Sequence, residues 1–329
     1  MDTHISRRSF LKSSAIALGA LAVSGHGVFA AEGQGSEVLF TKDLSPAGLS
    51  NIYSKLMQGR RLPGKVAFKV HSGEPGGHHY PAPVLIKGLV QSVGGTIVEC
   101  NTAYPGKRFK TADHKQALAD HGFTAIAPVE IMDEHGSLSL PCPGGKNFKE
   151  NFVGAGFANY DSCLILSHFK GHAMGGFGGA IKNMSIGIAS GEGKMWIHTA
   201  GVTRSLDDFS RCFKTDQKLF LESMAEAAGS VMKKMDGNLV YINLMNNLSV
   251  DCDCDNNPAA PELDDIGILA SFDPVALDRA CVDLVYAADK TRSAALRERI
   301  ESRSGAHTLE HAESLGLGSQ KYALVSIDI

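Results

Sequence analysis

Beyond residue 30 the sequence has no long hydrophobic run, no block of lysine and arginine interleaved with aromatics, no internal repeat and no low-complexity tract. The first absence excludes a membrane anchor after the N-terminus, and the second argues against nucleic acid as a partner. Standard nucleophile and metalloprotease signatures are missing too: there is no G-x-S-x-G, no H-E-x-x-H and no C-x-x-C run of the ferredoxin kind. The glycine run "GGFGG" lacks the order of a dinucleotide fingerprint, and "GGAIKN" lacks that of a phosphate-binding P-loop. The common nucleotide folds are therefore not supported.

The N-terminus does carry a pattern. "SRRSFLK" precedes the apolar stretch Ala15 to Val23, and "VFA" at 28–30 supplies small residues at a cleavage position. Residues 1–30 read as an export signal, too short to remain as a membrane span. Arg7 and Arg8 point to the twin-arginine translocase, which carries proteins folded before transport; an ordinary export signal with a charged start is the alternative. The expected location is periplasmic or otherwise exported. The signal is net +2, so the chain from Ala31 falls from −3 to −5, mildly acidic.

The chain from 31 to 329 is long enough for one α/β domain with a proper core; an internal boundary near residue 150 stays open. Seven cysteines cannot all pair, and a chain of this size needs no staples. Cys100, Cys163 and Cys281 sit in apolar runs and read as small buried hydrophobes. "KVAFKV", "TIVEC", "TAIAPVEI", "SCLILS", "LVYINLM", "DIGILAS" and "YALVSIDI" read as strands, and "APVLIKGLVQSV", "ADHKQALADHG", "DQKLFLESMAEAAGSVMKKM", "DPVALDRACVDLV" and "HTLEHAESLGLG" as helices. Alternation of this kind predicts an α/β fold, a mostly parallel sheet covered by helices, with its site at the carboxyl ends of strands. Residues 187–216 are the least regular and are expected to form a loop or lid.

Two stretches could carry chemistry. In "SHFKGHAMGGFGGAIKN", His168 and His172 follow a strand and Lys182 follows a glycine run; His198 lies a little further on, and His78 and His79 occupy the loop "HSGEPGGHHYPAP". Histidines on glycine-rich loops at strand ends tend to line a cleft, and a lysine there binds an anion or acts as a nucleophile. Gly175, Gly176, Gly178 and Gly179 would let backbone approach a cofactor. The rival reading is solvated loops. The second stretch, "DCDCDNNPAAPELDD", crowds Cys252 and Cys254 with Asp251, Asp253 and Asp255, a density of negative charge that a cation would relieve. Two thiolates complete neither a zinc site nor an iron–sulfur cluster, so a remote ligand such as Cys142 or a histidine would have to contribute. The aspartates with Glu262 also fall at calcium-loop spacing, although Asn256 stands where glycine is expected and two prolines interrupt the helix entry. A local disulfide or a plain acidic turn are the remaining readings.

"GHAMGGFGGAIKNMSIGIAS", "DCDCDNNP" and "DIGILASFDPVALDRACVDLV", in this order, resemble the domain of unknown function 362 family over nearly all of the chain after the signal. That resemblance implies an iron–sulfur or other metal centre. The appended ferredoxin domain of some members is not found in this sequence. A second resemblance, over four positions, is to the nickel-pincer lactate racemases. It implies His172 and His79 as acid/base groups, Lys182 as the anchor of a nickel-pincer-like cofactor and His198 as a metal ligand. His168, at the end of its strand, is read from position as a further candidate metal ligand in the same cleft. Together these readings lead to an exported metal-centre enzyme acting on a small polar substrate by redox or proton/hydride chemistry. A non-catalytic metal or iron–sulfur electron carrier is the first alternative, and a calcium-stabilised binding protein the second.

Overall fold

The computed structural model describes residues 28–30 and 35–328. The export segment expected over residues 1–30 lies outside them apart from Val28–Ala30. In chain order the elements are β1 (Val28–Ala30), β2 (Ser36–Thr41), α1 (Pro46–Met57), β3 (Val66–Lys69), α2 (Pro83–Ser92), β4 (Thr96–Glu99), α3 (Thr111–Asp120), β5 (Val129–Ile131), β6 (Ser137–Pro141), β7 (Glu150–Gly154) and β8 (Ser162–His168). There follow β9 (Lys170–His172), β10 (Gly176–Gly178), α4 (Ala180–Ser185), α5 (Gly191–His198), α6 (Gln217–Met235), β11 (Leu239–Met245), β12 (Gly267–Ser271), α7 (Pro274–Ala287), α8 (Ala294–Ser302), α9 (His307–Ser314) and β13 (Tyr322–Ser326). No helix among the described residues is long and apolar enough to cross a membrane.

One sheet of nine strands runs β1-β13-β2-β12-β11-β8-β3-β4-β5. Strands β11, β8, β3, β4 and β5 are parallel, as are β13 and β2, while β12 runs antiparallel to both of its neighbours and β1 to β13. Side chains alternate across the pleat, so one strand feeds two cores. Leu164 and Leu166 of β8 join Val240, Ile242 and Leu244 of β11 in packing against α1 and α2. Cys163 and Ile165 turn the other way, with Leu239 and Tyr241, onto α4, α6 and α7. The architecture is the helix-covered, mostly parallel sheet expected from the alternation of elements, and Cys100, Cys163 and Cys281 are buried in it.

Sequence and structure part at particular elements. The strand read over "TAIAPVEI" shortens to β5 because Ala125 and Ile126 spend their N–H groups closing a tight turn on Gly122 and Phe123, and Pro128 delays the ladder. Within 187–216, expected to be irregular, α5 forms because Ser190 caps it by accepting the Gly193 N–H at 3.1 Å. Helix α1, which sequence patterning passed over, starts the same way: Ser45 accepts from Gly48 N and Pro46 occupies the first turn.

Strand order sets where the site must be. From β3 the chain adds β4 and β5 on one side, then returns to place β8 and β11 on the other. The carboxyl ends of β3 and β8 therefore flank a reversal of strand order, the crevice in which open α/β sheets bind ligands.

Candidate metal and thiol centre

The loops leaving β3, β4, β8 and β11 enclose a cleft of about 360 Å3, lined among others by Glu74, Tyr104, His172, Cys252, Cys254 and Arg299. Its floor is built by backbone contact. Gly171 in β9 donates its N–H to Ser249 O at 2.8 Å, and a Cβ there would stand 2.0 Å from Val250 O. Only glycine permits that approach, which sets His172 beside Cys252. Nitrogen and sulfur atoms of His172, Cys252 and Cys254 lie within 4.8 Å of one another, the one group of three potential soft-metal ligands among the described residues.

The charges around this floor are ordered. The hydrogen bond from Cys254 is the main influence holding the Cys252 thiol well below its usual range; Lys182 and His172 add to it against the cost of burial. Cys254 is pushed well above that range, chiefly because it donates to Cys252. Nδ1 of His172 accepts the backbone N–H groups of Gly175 at 2.9 Å and Met174 at 3.3 Å, so the neutral ring carries its proton on Nε2. Burial, then the Lys182 charge, brings His172 down to about 4. His198 stacks on Phe220 and donates from Nδ1 to Lys194 O at 2.7 Å, which leaves its Nε2 lone pair free. Burial, reinforced by Lys182 and His172, lowers it to about 3. His172, Lys182, His198 and the two thiols thus share one environment. Lys182 reaches it from α4, whose first N–H groups, Ala180 and Ile181, are held at 2.7 and 2.9 Å by the buried Asp278 carboxylate. Burial raises that carboxyl to about 6 despite these donors.

Other residues singled out from the sequence sit differently. Asp253 does not pool its charge with Asp251 and Asp255. It is buried between His168 Nδ1 at 2.8 Å and Lys170 Nζ at 2.7 Å. His168 also donates from Nε2 to Asn246 O at 2.6 Å; with acceptors facing both nitrogens, it has no lone pair for a metal. Asp251 accepts from Ala259 N and faces Arg299, while Asp255 caps its own turn at Asn257 N. The aspartates therefore do not converge as a calcium loop requires. Cys142 packs its sulfur against Glu226 O, away from the two thiols, and His172 is the third potential donor beside them.

His79 is buried; burial lowers it, the charges of His78 and His168 add to that, and Asp253 opposes it. The four glycines open no cofactor cradle. A Cβ at Gly176 would meet Gly305, one at Gly179 the Asp278 carboxylate, one at Gly175 His172 and Met224, and one at Gly178 the stems of Lys170 and Lys182. Gly176 and Gly179 are needed for that close approach, at 2.8 and 2.4 Å, while at Gly175 and Gly178 a Cβ would make only ordinary contact.

Sequence reasoning overlooked His71. It accepts the Gly73 N–H at 3.1 Å, and burial together with the Arg108 charge pushes it well down, while Cys252 opposes. Its signal was positional, for it follows β3 as His168 closes β8. Glu74, Tyr104 and Arg108 at the rim were also overlooked: Glu74 accepts from Arg108 Nε at 2.8 Å and donates its backbone N–H to Asp253 O at 2.8 Å, tying rim to floor.

The donor set decides what could bind. One imidazole and two thiols suit a soft cation such as zinc, copper or nickel, with a further position open to the cleft. Such a cation displaces the Nε2 proton of His172 and the thiol proton of Cys254. A cluster of four irons takes four thiolates, and the described residues bring only two here.

Comparison with known proteins gives a family and a distant likeness. The family model described as a domain of unknown function, DUF362, matches residues 66–283. The lactate racemase apoprotein from Thermoanaerobacterium thermosaccharolyticum is similar at 13% identity and a TM-score of 0.43, over 78% of this chain and 58% of that one. A structural-genomics protein from Thermotoga maritima is similar at 14% identity and a TM-score of 0.39, over 80% of this chain and 60% of that one. The chain spans about three fifths of the length of each. No curated protein matches it.

Proposed function

The chain belongs to the DUF362 family, and we propose that it is a metal-centre enzyme that uses His172, Cys252 and Cys254 to hold a soft cation on the floor of the cleft. The observation that carries this reading is the meeting of three soft donors within 4.8 Å at the base of an open cleft. When bound, the cation would supply Lewis acidity or an electron path. The protein's own part follows from its geometry. Lys182 places a positive charge beside the thiols, suited to the anionic end of a small polar substrate or to anchoring a cofactor, nickel-pincer-like ones included. His198, with its proton fixed on Nδ1 and its ring held neutral, offers the Nε2 lone pair to a substrate donor or a cation. His172 offers an Nε2 proton wherever a cation does not displace it. The volume admits a small molecule and little more. Redox or proton/hydride transfer is the class of chemistry these groups serve, and export by the twin-arginine route, supported by Arg7 and Arg8, would carry the chain out already folded.

The test is spectroscopic. Metal-loaded protein is challenged with small hydroxy acids and related polar compounds; a substrate-dependent change in the metal's absorption, with turnover, supports the enzyme. A metal spectrum indifferent to every compound that enters the cleft favours the non-catalytic electron carrier.

A further inference from the structure

Cys252 and Cys254 are the two cleft-lining cysteines. Their sulfurs lie within 4.8 Å, and the Cys254 backbone N–H already turns back onto Cys252 Sγ at 3.3 Å. The turn is closed from Asp255 N to Cys252 O at 2.8 Å. Between the cysteines, the Asp253 side chain is clamped by His168 and Lys170, so the peptide separating the thiols cannot swing away. The remaining five cysteines are turned elsewhere: Cys100 against Ile188 O, Cys142 against Glu226 O, Cys212 against Met195, Cys281 under Asn243, and Cys163 within β8.

We propose that Cys252 and Cys254 form a dithiol–disulfide pair that exchanges with a small-molecule disulfide entering the cleft. The Cys252 thiolate attacks one sulfur of that disulfide; its S–S bond breaks and one thiolate leaves. The Cys254 sulfur, having passed its proton to the departing thiolate, then attacks Cys252 in the mixed disulfide and expels the second thiolate, which takes a proton from water. Two protein thiols are oxidised to one disulfide, and one small disulfide is reduced to two thiols. A ring closed over a single intervening residue is strained, and strained, accessible disulfides reduce easily. The couple is therefore reversible, unlike a structural bridge. A consequence that rests on the metal reading is that the oxidised pair has lost two of three donors and releases the cation.

The experiment uses the full chain, freed of metal by a chelator and equilibrated across graded ratios of glutathione to glutathione disulfide. Free thiols are then alkylated in denaturant and the protein is mapped by mass. Wild type should lose two thiols together, joined in the Cys252–Cys254 peptide, and regain them when glutathione is restored. Cys252→Ser and Cys254→Ser should each stop at a single glutathione adduct on the remaining cysteine. Wild type that keeps all seven thiols, or that collects separate adducts on both cysteines with no internal bond, overturns the proposal. Zinc added to each form separates the two ideas: uptake should fall from about one equivalent per chain in the reduced form to less than about a tenth in the oxidised form. A disulfide that forms in a protein whose reduced form takes no zinc upholds the exchange and refutes the metal centre. Zinc uptake without the disulfide does the reverse.

Discussion

Asp253→Asn removes the carboxylate that His168 and Lys170 share. His168 and Lys170 approach its carboxylate at 2.8 and 2.7 Å, and all three residues are nearly inaccessible to water. Burial alone would lift the Asp253 carboxyl; the His168 and Lys170 charges overcome this and hold it well below the usual carboxylate range. Asparagine keeps the shape but offers a single uncharged acceptor and turns an amide N–H₂ toward a donor. Removing one partner of a buried ion pair costs about 3–5 kcal/mol, because the other is left uncompensated. In equilibrium urea unfolding followed by circular dichroism, the midpoint should fall by at least about 1 M. Adding Lys170→Met to Asp253→Asn should recover part of the loss, since one stranded cation is then gone. A loss below about 1 kcal/mol, or a double variant no better than the single one, would refute the claim that this network holds the cysteine loop.

Three other outcomes are expected. His114 is fully buried and brought down to about 3, first by burial. Its folded pKa lies below its unfolded one, so its contribution is complete above about pH 6.5 and is lost as pH falls toward 3, by at most about 5 kcal/mol; His114→Met should flatten urea stability across that window, and an unchanged profile contradicts it. Lys182→Met should raise the titration of the Cys252 thiolate seen by ultraviolet absorbance, because the lysine charge adds to the hydrogen bond from Cys254; an unmoved titration would place Lys182 outside the site. Arg7→Lys with Arg8→Lys should leave precursor in the cytoplasm, and normal export of that variant would remove the twin-arginine route.

The sheet was legible because runs such as "SCLILS" and "LVYINLM" are buried on both faces and read as uninterrupted apolar strands. Their carboxyl ends lead to the loops that line the cleft. Which histidine does what was not legible, since that depends on the partner each ring nitrogen finds across the fold. His168 looks like a ligand in sequence and is consumed by Asp253 and Asn246; His71, in plain view at the head of its loop, faces Cys252 only because β3 and β11 lie on either side of β8. The acidic loop misled for a similar reason. Its aspartates alternate with its cysteines, and the turn sends Asp253 into the ion-pair network while the thiols face the cleft.

Cobalt(II) loading tests the central claim most directly. Wild type should take up about one cobalt per chain and show an intense thiolate-to-metal charge-transfer band. Cys252→Ser, Cys254→Ser and His172→Ala should each weaken that band, and the double cysteine variant should abolish it while remaining folded. A wild-type protein that binds no soft metal when fully reduced, or a double cysteine variant that keeps its metal and its spectrum, would contradict the account.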